Sequence, residues 1–361
     1  MKKLMVVVGT RPNFIKVTRF KSLAAKHGLE VLLVHTGQHY DDRMSTVFFD
    51  QFGLRPDRFL DTPQAPPASQ MGHIMIGLEE VAGHWRPDLM MVPGDVNSTL
   101  AGALTANKMG IALAHLEAGL RSGDKGMPEE INRILTDRIT DLFFVTEQSG
   151  MDHLRAEGCD PAGLHFVGNT MIDTLVAYDA QVQAAPVLRE LGLPGGGHVL
   201  MTIHRPATVD HPAELAKLVD LIAFVSRHRA VVFPVHPRTT AKLEASGLMH
   251  RLRGLEQLRM TAPMDYFNFQ KLIATCAFVI TDSGGIQEET TFRQVPCLTL
   301  RPNTERPVTI SLGSNRLIDF DLEKLQAAIA DIEEGRASRG EVPPLWDGHA
   351  TERILDIIAR P

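Results

Sequence analysis

Residues 278–289 read Phe278-Val279-Ile280-Thr281-Asp282-Ser283-Gly284-Gly285-Ile286-Gln287-Glu288-Glu289. A short β-favouring run ends at a polar pair, two glycines follow, and a helical segment begins. Continuous apolar runs of this kind are expected for strands buried on both faces, as in parallel sheets. The strand–Gly-Gly–helix junction also frees backbone N–H groups at a helix N-terminus, where partial positive charge gathers. Ser283, Gly284 and Gly285 therefore form a candidate cradle for a diphosphate. One turn on, Glu289 is placed to accept hydrogen bonds from ribose hydroxyls. The competing reading is a tight turn with a helix cap.

The same rhythm extends in both directions. Strands are expected at 199–203, 230–235 and 296–300, with helices at 212–227, 265–275 and 321–334. Upstream, strands are expected at 4–8, 30–35, 88–92, 111–116, 141–145 and 164–167, with helices at 97–109 and 129–139. This alternation predicts an α/β protein of two Rossmann-like, doubly wound halves facing a cleft. The expected domains are 1–170, joined by a terminal stretch 346–361, and 171–345. The segment 184–197, with Pro186, Pro194 and three consecutive glycines, reads as a loop near the boundary. A last helix at 348–359 follows the Pro343-Pro344 break and is expected to pack back on the first domain.

Composition agrees with two soluble domains. The chain has 361 residues, 44% apolar and 22% charged, with a net charge of −6. The acidic balance argues against a nucleic-acid partner. No apolar run is long enough to span a membrane, and residues 4–8 are too short for a signal peptide. The dispersed Cys159, Cys276 and Cys297 show no metal-ligand spacing and fit a reducing cytoplasm.

In doubly wound sheets, ligands bind at the carboxyl ends of strands. Gly9-Thr10-Arg11-Pro12 follows the first strand, and Arg11 and Lys16 supply cations there. Gly94-Asp95 follows the third strand, where Asp95 reads either as a site acid or as a helix cap. Glu117, in His115-Leu116-Glu117-Ala118-Gly119-Leu120-Arg121, is an acid set hard against an apolar strand. Pro128-Glu129-Glu130 opens a helix in the usual way, and Glu129 stands four residues before Arg133. Carboxylates converging on one cleft would raise each other's pKa toward the range useful for proton transfer. In the second half, His204-Arg205 and His236-Pro237-Arg238 follow adjacent strands, and Thr304-Glu305-Arg306-Pro307 adds a cation at Arg306. HExxH, CxxC, GxGxxG and P-loop patterns do not occur, which argues against a zinc site, a dinucleotide oxidoreductase and a P-loop NTPase.

Taken in order, these motifs, with Thr36-Gly37-Gln38-His39, Pro128-Glu129-Glu130-Ile131-Asn132-Arg133 and Gly168-Asn169-Thr170, resemble those of the non-hydrolysing UDP-N-acetylglucosamine 2-epimerases. The resemblance runs from residue 4 to about residue 320. It implies the two-domain glycosyltransferase-B fold, a homodimer, a UDP-sugar substrate, and inversion at C2 without cofactor or metal. It further implies elimination of UDP to 2-acetamidoglucal and re-addition on the other face, giving UDP-ManNAc. By motif, Asp95, Glu117 and Glu129 match the acid/base carboxylates, with His204 near the glycosidic oxygen and phosphate. Arg11, His204, Ser283 and Gly284 match diphosphate contacts, Glu289 the ribose ligand and Phe269 a residue beside uracil. Lys16 and Arg133 match sugar-side contacts.

Some positions depart from the family pattern. Asn13 stands where Glu is frequent, Tyr40 and His73 where Arg is frequent, and Pro206-Ala207 where Arg-Glu is frequent. These departures predict weak or absent activation by a second UDP-GlcNAc. The run 36–49 also resembles relatives that epimerise UDP-2,3-diacetamido-glucuronic acid. A glycosyltransferase of the same fold is the other expectation; it would need an acceptor site and one dominant base.

Overall fold

The computed structural model describes residues 1–38 and 49–360. Tyr40, Asp41, Met44 and Ser45 therefore lie outside the described residues. The chain divides into two compact units, Met1–Ala177 with Pro344–Pro361, and Tyr178–Pro343.

In the first unit, the described strands are β1 (Lys2–Val8), β2 (Leu29–His35), β3 (Arg58–Phe59), β4 (Leu89–Pro93), β5 (Ala112–Leu116), β6 (Leu142–Val145) and β7 (Leu164–Phe166). They pair in parallel in the order β3-β2-β1-β4-β5-β6-β7. The chain order reverses between β1 and β4, which makes the ends of these two strands the topological switch point. β4 is buried along its whole length, and β1 along its last five residues. Met5, Val7, Met90 and Val92 pack against Ile74 and Leu78 of the Pro67–Trp85 helix on one face.

The second unit repeats the plan. Its described strands are β8 (Val199–Thr202), β9 (Val231–Pro234), β10 (Leu258–Thr261), β11 (Phe278–Thr281), β12 (Cys297–Thr299) and β13 (Asn315–Leu317). They are also parallel, ordered β10-β9-β8-β11-β12-β13, so the switch point lies between β8 and β11. Apolar clusters cover both faces. Val199, Met201 and Phe278 pack with the Pro212–Val225 helix, while Leu200, Val232 and Val279 pack with Leu272 and Ile273 of the Tyr266–Thr275 helix.

The Asn97–Met109 helix and β11 have the bounds expected from periodicity. Not expected from the sequence were β3, β10 and β13, which are short edge strands. Half-buried or exposed positions interrupt their apolar pattern. The stretch 184–197, expected as a loop, carries the helix Val187–Glu190 and buries Val187 and Leu193 in the core of the second unit. The Ala350–Ala359 helix packs on the first unit. Asp173 accepts from the backbone N–H groups of Ala350 and Thr351 at its start, and Arg353 donates to the Val167 carbonyl at 2.9 Å. Among the described residues, no helix is long and apolar enough to cross a membrane.

Candidate active site

In the first unit, the segments after β1, β4 and β5 lie together because these strands are neighbours in the sheet. Gly94 has φ +67°, a backbone region that favours glycine. A side chain there would press on Asn13 Nδ2 at 3.0 Å, Lys16 Nζ at 3.3 Å and Glu117 Oε2 at 3.4 Å, so these groups surround one point. Lys16 and Glu117 are both buried and form an ion pair. Glu117 itself has φ +70°, a conformation that costs a non-glycine residue about 1–3 kcal/mol and tends to occur at functional sites. Asn13 donates to the Pro93 carbonyl at 3.2 Å and accepts from the Thr10 hydroxyl at 2.8 Å.

Asp95 does not cap the next helix. The N-cap position is Val96, without a side-chain cap. Asp95 instead meets Arg133 at 3.4 Å, and its carbonyl accepts from Asn132 Nδ2 at 2.9 Å. Arg133, 2% exposed, also pairs with Glu130 at 3.1 Å. The i,i+4 pairing of Glu129 with Arg133 is replaced by a bond from Arg133 Nε to the Glu129 carbonyl at 3.4 Å. Glu130 is buried and accepts from the Ser122 and Gly123 backbone, so it holds the preceding loop, while Glu129 is exposed at the helix start.

In the second unit, the loops after β8 and β11 meet at the switch point. Asp282 Oδ2 accepts from the backbone N–H groups of His204 and Arg205 at 2.9 and 2.7 Å, and Asp282 Oδ1 lies 2.9 Å from His204 Nδ1. Burial pushes the Asp282 carboxyl up, but the His204 bond and charge and the two backbone donors outweigh it and hold it below the usual range. The His204 ring is 44% exposed and lies 5.9 Å from the His236 ring. His236 itself accepts from Arg238 N as the cap of the Pro237–Ala245 helix.

The Gly284–Phe292 helix starts at Ser283, whose side chain makes no capping bond. A Cβ on Gly284 would lie 2.7 Å from Glu305 Oε1 and 3.0 Å from Arg306 Nη1. Arg306 is buried and paired with Glu305 and with Glu288, the latter at 2.7 Å. Arg301 pairs with Glu305 at 3.0 Å. Glu289 is buried one turn into the helix. Desolvation, only partly offset by Gln270 and Arg293, pushes its carboxyl up to about 7. Phe269 is partly buried against the apolar cluster of the Tyr266–Thr275 helix. Among the described residues, no group of three His, Cys, Asp or Glu side chains is placed to hold a metal ion.

Residues 21–359 match the family model described as UDP-N-acetylglucosamine 2-epimerase. The chain belongs to the UDP-N-acetylglucosamine 2-epimerase family. It is 35% identical to the UDP-N-acetylglucosamine 2-epimerase of Methanococcus maripaludis, over 99% of this chain and 98% of the relative. It is also 35% identical to the UDP-2,3-diacetamido-2,3-dideoxy-D-glucuronate 2-epimerase of Pseudomonas aeruginosa, over 99% of both chains. The crystal structure of Methanocaldococcus jannaschii UDP-GlcNAc 2-epimerase in complex with UDP-GlcNAc and UDP superimposes with a TM-score of 0.89 at 35% identity, over 99% of both chains.

In this family member, the residues singled out from sequence fall into groups within each unit. Lys16, Asp95, Glu117 and Arg133 converge at the ends of β4 and β5, and Arg11 opens the short Arg11–Ile15 helix beside them. Arg11 and Glu129 are more exposed than that group. In the second unit, His204, His236, Ser283, Gly284 and Gly285 lie at the strand ends or the helix start, with Glu289 and Arg306 buried behind. Sequence reasoning missed the role of Asp282 as the partner of His204, although Asp282 stands beside Ser283 within the 278–289 stretch. It also missed Arg301, which directly follows the apolar run of β12 and its flank.

Proposed function

We propose that this protein inverts C2 of UDP-GlcNAc, giving UDP-ManNAc, by elimination and re-addition of UDP through 2-acetamidoglucal. The observation that carries this reading is the buried Lys16–Glu117 pair beside Gly94-Asp95, with Arg133 on Asp95. The C2 proton of the sugar is not acidic enough for direct exchange, so loss of the C2 proton must accompany loss of UDP. One carboxylate removes the C2 proton, the C–H electron pair forms the C1=C2 bond, and the C1–O bond breaks onto the departing phosphate. In return, a phosphate oxygen attacks C1 and the double-bond pair takes a proton on the opposite face of C2. Acid/base groups on both faces and a firm hold on UDP are required. Asp95, Glu117 and Glu129 are the acid/base candidates; Lys16 holds Glu117 and Arg133 holds Asp95 in place.

On the UDP side, Ser283, Gly284 and Gly285 present backbone N–H groups at a helix start, with Arg11 as an added cation. His204, held at Nδ1 by Asp282, keeps Nε2 for the leaving phosphate oxygen. Glu289 takes the ribose hydroxyls and Phe269 flanks the uracil. The Arg306–Glu305 pair packs beside Gly284, and His236, at the end of β9, lies against the His204 ring. A homodimer in a reducing cytoplasm belongs to the same reading, and light scattering on the purified protein tests the dimer.

Incubation with UDP-GlcNAc in D2O, followed by NMR, tests the reaction. The expected result is deuterium at C2 with the bond to UDP intact and UDP-ManNAc formed without an acceptor. No exchange with folded protein rejects this substrate. A second reading is C2 epimerisation of UDP-2,3-diacetamido-glucuronic acid, favoured by the equal identity to the Pseudomonas aeruginosa enzyme. The larger kcat/KM of the two sugars, measured side by side, decides between them.

A further inference from the structure

Beneath the Gly94-Asp95 turn lies a buried polar cluster that the proposed reaction does not use. His115, on β5, is fully buried. Its Nε2 lies 2.7 Å from the Gly94 carbonyl and its Nδ1 lies 2.6 Å from Asp137 Oδ1. A carbonyl oxygen only accepts, so Nε2 carries a proton. Asp137 also accepts from the backbone N–H of Gly119 at 3.1 Å and pairs with Arg121 at 2.7 Å. Burial pushes the Asp137 carboxyl up, but His115 and Arg121 outweigh it and hold it below the usual range. Nδ1 faces that carboxylate. Arg121 is tied on its far side to Glu157 at 2.9 Å.

This cluster grips two backbone turns from below. One is Gly94, in the left-handed region, which aims Asp95. The other is the turn from Glu117 to Gly119, in which both end residues have positive φ. Gly119 admits no side chain, since a Cβ would lie 2.4 Å from the Gly150 carbonyl oxygen. The two turns are joined directly by Gly94 N donating to the Leu116 carbonyl at 2.9 Å. A buried imidazole bridging a carbonyl and a carboxylate is an unusual way to fill a core position, because apolar packing would avoid the desolvation of Asp137 and Arg121. What it provides is a fixed distance between the two turns.

We propose that His115 and Asp137 are positioning residues that set Asp95 and Glu117 relative to each other through the main chain of their turns. The proposal rests on Asp95 and Glu117 being acid/base groups. His115 and Asp137 touch no substrate. Loosening them misplaces the carboxylates, and a misplacement of about 1 Å can cost roughly 10²-fold in rate.

The test uses Asp137→Asn and His115→Gln in the full chain, with Glu157→Gln as control and Asp95→Asn and Glu117→Gln alongside. Asp137→Asn keeps an acceptor for Gly119 but weakens the hold on His115. The expected result is a fall in kcat for C2 deuterium exchange on the order of 10²-fold, with KM and UDP affinity within about threefold, measured below each variant's unfolding temperature. Glu157→Gln is expected to lower the unfolding temperature while kcat stays near normal. If His115→Gln fails to fold, the kcat-against-KM split of Asp137→Asn alone decides. A normal kcat in folded Asp137→Asn, while Asp95→Asn and Glu117→Gln are crippled, overturns the positioning role only. Near-normal rates in Asp95→Asn and Glu117→Gln overturn the acid/base reading beneath it.

Discussion

Lys16 and Glu117 form a buried ion pair although they are 101 residues apart in the chain. The strands that they follow, β1 and β5, are separated by β4 alone, and the pair closes over the Gly94 turn at the end of β4. Removing one partner of such a pair leaves an uncompensated buried charge. Lys16→Met is therefore expected to destabilise the first unit by about 3–5 kcal/mol, read from urea denaturation. Combining it with Glu117→Gln should recover much of that loss in a double-mutant cycle. Additive losses would show that the two side chains do not interact in solution.

Asp95 pairs with Arg133 and leaves the following helix without a side-chain cap. Asp95→Asn is expected to lower the rate of C2 deuterium exchange by roughly 10²-fold or more, with stability changed little. A variant with near-normal exchange would reduce Asp95 to a partner of Arg133.

Burial pushes the Glu289 carboxyl up to about 7, above its unfolded value. The folded state thus binds more protons than the unfolded state between the two values. The contribution to stability is full at low pH and is lost as pH rises through about 7. Glu289→Gln should match the wild type near pH 4 and exceed it by on the order of 1–3 kcal/mol above pH 8, as read by denaturant titration. If the ionised carboxylate accepts the ribose hydroxyls, UDP binding tightens as pH rises through the same range and releases a proton. Calorimetry in buffers of different ionisation enthalpy measures that proton, and Glu289→Gln should abolish it.

The Gly284 position has no room for a methyl group against Glu305 and Arg306. Gly284→Ala must displace that buried network, at a cost of about 1–3 kcal/mol. Because the same network backs the helix start, UDP affinity is expected to fall about tenfold for each 1.4 kcal/mol of that cost borne by the site. Equilibrium binding of UDP provides the measurement. An unchanged affinity would place the diphosphate elsewhere.

Initial rates against UDP-GlcNAc are expected to be hyperbolic. Asn13 is buried and bonded to Pro93 and Thr10, and His73 stands on the Pro67–Trp85 helix, at a position where the resemblance implies Arg. Clearly sigmoidal rates would show that a second substrate molecule still activates the enzyme.

Much of the site is legible in the chain itself, because turn chemistry is local. A strand ending in Gly9, Gly94 or Gly284-Gly285 announces a backbone that approaches something closely, and the acids and histidines beside these glycines stand out on that ground. The rest depends on neighbours far along the chain. Arg133 reads as a partner of Glu129 by helical spacing, yet it pairs with Glu130 on its own helix and reaches Asp95 because the Pro128–Arg138 helix packs beside the Asn97–Met109 helix that follows β4. Asp137 reads as one more acid on a helix, and only folding places His115, 22 residues earlier, against it.

Local chemistry along the chain is enough to specify the alternation of strand and helix, the two α/β units and the residues at the strand ends. Periodicity, capping and glycine turns act over a few residues, so each can be recognised within its own segment. Which strand ends become neighbours is settled by packing. The sheet orders β3-β2-β1-β4-β5-β6-β7 and β10-β9-β8-β11-β12-β13 place β1 beside β4 and β8 beside β11. The Lys16–Glu117 pair and the hold of Asp282 on His204 follow from those orders. A buried charge is stable only where an opposite charge or donor faces it, and that partner is chosen by the sheet, not by the local chain.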